Sequence, residues 1–181
     1  MPLGEFDLIE RYFSRGSARR DVLLGVGDDA ALLEVPPGRA LVAAVDTLVE
    51  GRHFLPGAPP GSVGHQALAV NLSDLAAMGA DPAWALLSLS LPESDETWLQ
   101  SFAAGLYALA ERHGVALVGG DTVRGPRVVT VTALGSVAPG LALRRDGARP
   151  GDVLFVSGWP GEAGAGLEAL RSGTVRGDDD P

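Results

Sequence analysis

The sequence has 181 residues, 46% of them hydrophobic, which suffices for one domain with its own core and a small remainder. Its formal net charge of −9, from 14 basic against 23 acidic residues, argues against a partner read through a polyanionic backbone. All 14 basic residues are arginines and there is no cysteine. That excludes a Walker phosphate loop, the strand lysine of protein kinases, Schiff-base chemistry, thiol nucleophiles, disulfides and thiolate metal sites. Only His53, His65 and His113 offer imidazole, so zinc is disfavoured. With carboxylates plentiful, a bound metal is expected to be a hard cation on oxygen ligands. No apolar run reaches membrane-span length and residues 1–13 lack the pattern of a signal peptide, so a cytoplasmic protein without a membrane partner is expected.

In chain order, Glu5–Phe13 reads as a short helix with Phe6, Ile9, Tyr12 and Phe13 near one face. Asp21–Gly25 is a brief apolar stretch leading into Gly27-Asp28-Asp29, and Ala30–Val35 is strand-like before the turn Pro36-Pro37-Gly38. Ala40–Val45 reads as a strand that delivers Asp46 at its far end. The breakers in Leu55–Ser62 mark a loop. Val63–Met78, apolar almost all round, reads as a buried helix stopped by Gly79 and Pro82.

Ala83–Leu91 is the next expected strand. Ser94 is the expected cap of a helix whose Trp98, Phe102, Leu106 and Leu109 form a core-facing stripe, ended by Gly114. Val115–Val118 reads as a short buried strand followed at once by Gly119-Gly120-Asp121-Thr122, and Val128–Val137 as a longer one. Residues 139–150 read as a connector. Beyond it Val153–Val156 reads as a strand, Glu162–Leu170 as a helix, and Gly177-Asp178-Asp179-Asp180 as an acidic tail. Thirty residues with one strand and one helix cannot close a core alone, so 151–181 reads as the truncated opening of a second domain after a first domain over 1–138.

Four carboxylates stand at similar addresses: Asp29 on a glycine turn, Asp46 at a strand end, Asp74 inside a helix and Asp121 after a strand. For any one alone, ordinary Gly-Asp turn chemistry outweighs a metal site. Asp74 shifts the balance, because its neighbours are apolar and a buried lone carboxylate costs several kcal/mol. An arginine and a metal are equally suitable partners for that segment by itself. Beside the three other carboxylates the metal is preferred. Glycine next to Asp28-Asp29 and Asp121 also lets bare backbone N–H groups approach an anion. The glycine-rich Gly158–Gly166 lacks lysine and any fingerprint spacing, so its phosphate signal is weak.

Taken together, these segments resemble the thiamine-monophosphate kinase family. The resemblance is carried by Gly4-Glu5-Phe6, Gly25-Val26-Gly27-Asp28-Asp29-Ala30-Ala31-Leu32 and Asp46-Thr47-Leu48-Val49-Glu50-Gly51-Arg52-His53-Phe54. It continues through Ala67–Pro82, Gly119-Gly120-Asp121-Thr122-Val123-Arg124-Gly125 and Ala148-Arg149-Pro150-Gly151-Asp152. It implies an α+β amino-terminal domain of the aminoimidazole ribonucleotide synthetase-like two-domain fold, homodimeric through that domain, followed by a truncated α/β second domain. It also implies ATP-dependent phosphorylation of thiamine phosphate, with Mg2+ ions at Asp29, Asp46, Asp74 and Asp121. Gly120, Asp121 and Arg145 are the implied ATP contacts and His53 the implied contact to thiamine phosphate.

No catalytic base is assigned, since phosphoryl transfer is carried by positioning and charge neutralisation. The chain departs from the family in having Ala44 and Val45 where some members carry hydroxyl residues before the aspartate. It also lacks the Asp-x-Ser-Asp-Gly and Gly-Gly-Glu-Asp-Tyr elements of the family's second domain. A non-catalytic Mg–nucleotide-binding fragment, or another ATP-dependent enzyme of the superfamily, are the alternatives.

Overall fold

A computed structural model describes residues 4–16 and 19–174, and the acidic tail lies outside the described residues. The chain divides into two compact units, Met1–Arg144 and Arg145–Pro181.

The first unit opens with helix α1 (Glu5–Phe13), which buries Leu8, Tyr12 and Phe13 and leaves Phe6 exposed. Strands β1 (Val22–Leu24) and β2 (Leu32–Leu33) form a small antiparallel flap, so the strand expected over Ala30–Val35 shrinks to two residues. Then come β3 (Ala40–Val49), α2 (Pro60–Ala77), β4 (Asp81–Leu91), α3 (Glu96–Arg112), β5 (Ala116–Arg124) and β6 (Val128–Val137). The main sheet has the order β3-β6-β4-β5. β6 runs antiparallel to both neighbours, while β4 and β5 are parallel and need the crossover that α3 provides. The α+β expectation is borne out.

Period-two alternation gives the sheet two different faces. On the inner face Leu87, Leu89, Leu91, Val129 and Val131 join Leu68, Leu99 and Phe102 of the two helices in one buried cluster. The helices approach closely because glycines stand at their contact. A Cβ on Gly64 would lie 2.1 Å from the Phe102 carbonyl oxygen, and one on Gly105 would lie 2.0 Å from that of Gly61. On the outer face Trp84 and Val118 are buried under the flap residues Val22, Ala31 and Leu33.

Four local expectations are corrected. α2 starts at Pro60, where a missing N–H costs nothing, and it buries one stripe through Val63, Gly64, Ala67, Leu68, Asn71 and Leu75 rather than its whole circumference. The cap of α3 is Asp95, not Ser94: its Oδ1 accepts from the N–H groups of Thr97 and Trp98 at 3.0 and 3.1 Å. Asp46 is inside β3 rather than at its end, because β6 continues to offer backbone partners as far as the pair Val49–Val128. Gly119-Gly120-Asp121-Thr122 is likewise inside β5, paired along β4 as far as Leu91–Arg124.

The second unit contains α4 (Glu162–Arg171), as expected, but no residue of that helix is buried. Val153–Val156 forms no strand, and among the described residues none pairs with it. Val153, Leu154, Phe155 and Val156 are exposed.

Candidate functional site

A cavity of about 310 Å3 opens where α1, the turn after β1 and the middle of β5 meet, and Asp28, Asp29, Gly119, Gly120, Asp121 and Thr122 line it. Phe6, Ile9, Phe13 and Val26 give it an apolar wall. A larger space of about 600 Å3 shares Asp28, Asp29, Gly120 and Asp121 and extends over the outer face to Ser88, Thr130 and Thr132. In register, Thr47, Thr130, Ser88 and Asp121 form one polar row across all four strands.

The backbone here is shaped by two glycines. Between Ala85–Leu117 and Leu86–Gly119 the register slips, leaving Val118 as the extra residue of a bulge that re-aims the remainder of β5. Gly120 then passes β4 so closely that a Cβ would stand 1.8 Å from the Leu87 carbonyl oxygen. Only glycine fits, which keeps the strand beside Asp121 free of a side chain. On the opposite wall Gly27, at φ 121°, turns the chain into Asp28-Asp29, where Asp28 Oδ1 accepts the N–H of Asp29 at 2.8 Å.

The walls are pinned from behind. Tyr107 donates its hydroxyl hydrogen to the Phe13 carbonyl at 2.9 Å, and burial pushes its pKa up to about 12, so it remains a neutral donor to the end of α1. The flap is tied down by Asp21, which accepts from Arg19 at 2.6 and 2.9 Å and from the Trp84 indole at 3.3 Å. The hydrogen bond from Arg19 holds the Asp21 carboxyl below the usual carboxylate range.

Of the residues singled out from sequence, the structure brings Asp29, Gly120 and Asp121 to one cavity and leaves the others apart. Asp46 shares its strand face with the buried Leu48, opposite the outward Thr47. Asp74 is exposed on α2, against the expectation of burial. The buried polar residue of that segment is Asn71, whose Nδ2 donates to the Ala67 carbonyl at 3.0 Å while its Oδ1 has no partner. Three residues along a helix are 60° apart, enough to put Asn71 inside and Asp74 outside.

His53 lies on the turn after β3, exposed, with Nδ1 accepting the Val49 N–H at 3.1 Å. Arg145 is exposed at the start of the second unit. Among the described residues, no three carboxylate, imidazole or thiol groups converge closely enough to hold a metal ion on their own. Sequence reasoning missed that α1 supplies the apolar wall. The signal was present in Phe6, a large hydrophobic residue on a helix too short to bury all its apolar positions.

The cavity lining contains three carboxylates and no basic residue. An anionic ligand can enter it only with cations of its own, held by the carboxylates against mutual repulsion. Magnesium suits this arrangement, since it is bound through one or two carboxylates, waters and substrate phosphates rather than by an all-protein cage. Asp29 and Asp121 fit that donor set.

The family described as AIR synthase related protein, N-terminal domain, matches residues 27–137, and the chain belongs to it. Within that class it is similar to thiamine-monophosphate kinases. That of Salmonella typhimurium is 53% identical over 173 residues, covering 95% of this chain and 53% of the relative. The crystal structure of the Stenotrophomonas maltophilia K279a thiamine-monophosphate kinase superposes with a TM-score of 0.87 at 50% identity, covering 97% of this chain and 56% of that one. A structure of AaThiL complexed with AMPPCP and TMP gives a TM-score of 0.73 at 37% identity, covering 86% and 50%. The chain thus spans about half the length of the relatives it matches.

Proposed function

We propose that this chain is the nucleotide-binding part of a thiamine-phosphate kinase, which transfers the terminal phosphoryl group of ATP directly to thiamine monophosphate and yields thiamine diphosphate. The observation that carries the reading is the acidic, arginine-free cavity in which Gly120, a position of β5 that only glycine fits, faces a Gly-Asp-Asp turn. Support comes from the 53% identity to a thiamine-monophosphate kinase and from the complex of AaThiL with AMPPCP and TMP.

The apolar wall of Phe6, Ile9 and Phe13 suits a purine ring, and the exposed backbone of Gly120 suits phosphate oxygens. Asp29 and Asp121 would hold magnesium, which when bound neutralises charge on the transferring phosphoryl group. Asp46 and Asp74 enter as further magnesium ligands on the resemblance alone, and so do Arg145 as an ATP contact and His53 as the contact to thiamine phosphate. The acceptor phosphate is anionic near neutral pH, so no side chain needs to remove a proton from it. The reading extends to a cytoplasmic homodimer, favoured by the exposed Leu41 and Val45 on the open face of edge strand β3.

Calorimetric titration of AMPPCP into the chain with magnesium tests this. Saturable binding that vanishes with chelator, and that weakens about tenfold or more in Asp121→Asn, is expected, the scale of losing a partner at a metal centre. The absence of chelator-sensitive binding at millimolar nucleotide would sink the reading. Radiolabel transfer to thiamine phosphate then tests the acceptor.

A further inference from the structure

The turn that carries His53 is secured by a group of residues outside the cavity. β3 ends at Val49, and the chain folds back so that the Gly51 N–H donates to the Phe54 carbonyl at 2.8 Å, with Gly51 at φ 76° and Phe54 buried. Within this turn the His53 N–H donates to the Val49 carbonyl at 2.9 Å, and the Val49 N–H donates back to His53 Nδ1 at 3.1 Å. The imidazole is therefore clamped to the strand end. With Nδ1 an acceptor, the neutral ring carries its proton on Nε2 and offers that N–H as its one ring donor.

The neck of the turn is Glu50, and it is held by Arg127, the residue just before β6, which itself rests on Trp98 of α3. The Glu50 N–H donates to the Arg127 carbonyl at 3.1 Å, and its carboxylate accepts from Arg127 Nη1 at 2.5 Å. Arg127 is mostly buried, at 19% side-chain exposure, with its guanidinium 4.9 Å from the centre of the Trp98 ring. Trp98 is stacked on Phe102 at 4.9 Å, so the platform beneath Arg127 belongs to the core. Arg127 Nε is buried without a hydrogen-bond partner.

A shielded ion pair with an unsatisfied donor is a poor source of net stability, since apolar replacements of such pairs are often neutral or better. What this one does achieve is geometric. A planar guanidinium fixed on an aromatic face admits few positions for the carboxylate, and the residue that bears it stands in the chain between Val49 and His53.

We infer that Glu50 and Arg127, seated on Trp98, are positioning residues that fix the His53 ring for an incoming phosphate monoester. The inference rests on the proposed role of His53 as the contact to thiamine phosphate. Nε2–H is a single directional donor, and its value to an anionic acceptor depends on its orientation being set before binding.

The test uses this chain with Glu50→Gln, which is isosteric, Arg127→Met, which keeps an apolar stem over Trp98, and His53→Asn. Two readouts are followed by NMR: exchange of the Val49 amide, and titration with thiamine phosphate. Glu50→Gln and Arg127→Met should each raise Val49 amide exchange about tenfold, the scale of one lost hydrogen bond. They should also weaken thiamine phosphate binding while leaving AMPPCP affinity unchanged. A merely structural pair would not separate the two ligands in that way.

His113 ring signals, at the end of α3, serve as the fold control. If Arg127→Met loses them, Glu50→Gln alone decides. Binding abolished by His53→Asn but untouched by Glu50→Gln and Arg127→Met overturns the inference and leaves the reading of His53 standing. Thiamine phosphate bound by His53→Asn as tightly as by the parent chain overturns the reading of His53, and the inference with it.

Discussion

The apolar tetrads Val115–Val118 and Val153–Val156 are near twins in sequence and opposites in structure. In the first, Ala116 and Val118 are buried in β5, laddered to β4 on one side. In the second, Leu154 and Phe155 are 95% and 89% exposed and no strand is formed. The same contrast separates α3, with eight buried residues, from α4, with none. A strand or an amphipathic helix is thus a response to a partner surface, and hydrophobic pattern alone states only what the segment would do if given one.

The largest effect expected from this comparison is at matched phenylalanines. Phe102→Ala should cost about 3–5 kcal/mol in chemical denaturation, the range for emptying an aromatic site in a packed core. Phe155→Ala should change stability by less than about 0.5 kcal/mol, as for a surface position. Equal losses would show that the second unit has a core of its own.

Next come two mid-helix glycines, for which one substitution has opposite signs. Gly105→Ala must push a methyl group into the Gly61 carbonyl and should cost about 2 kcal/mol or more. Gly166→Ala has nothing within 4 Å and should favour α4 by about 1 kcal/mol, read as increased helicity by circular dichroism. A loss of helicity at Gly166 would contradict the open surroundings of α4.

A smaller effect is expected at the caps. Asp95→Ala should cost about 1 kcal/mol, because two N–H groups at the start of α3 lose their acceptor. Gly161, the cap of α4, provides no such side-chain bond, so this contribution is confined to the first unit.

The smallest concerns acid. Arg19 holds the Asp21 carboxyl below its ordinary range, so the stability from Asp21 is complete above the unfolded carboxylate pKa. It is lost as pH falls through the lowered folded value. Asp21→Asn should flatten that part of the acid limb by under about 1 kcal/mol, since the pair is partly exposed and screened. An unchanged acid limb in thermal melts would remove Asp21 from the anchoring of the flap.

Much of the fold was legible before the structure. α1, the stripe of α3 and β6 were expected at or close to their observed limits, because period and breakers agree there. The site was legible in part. Asp29, Gly120 and Asp121 share a cavity, but the glycine before Asp121 looked like a turn and is a strand. Glycine signals bare backbone without saying whether the need is a positive φ at a bend or, as at Gly120, passage beside another strand. Asp74 was expected to be buried from its apolar neighbours, yet it shares the exposed side of α2 with Ser73 and the small Ala76 and Ala77, while Leu68 and Leu75 face inward. Small apolar residues tolerate either side of a helix, so they carry little information about which way it faces.

What the sequence determined by itself was the chemistry available: carboxylates without lysine or cysteine, a magnesium-compatible donor set, and segments whose order resembles a kinase family. Tertiary structure alone decided which carboxylates meet, which apolar runs find partners, and that Glu50 meets Arg127 from a turn 77 residues away. The physical reason is range. Composition, periodicity and capping act over a few neighbours, whereas register across β3, β6, β4 and β5 brings together residues whose sequence separation no local rule can read.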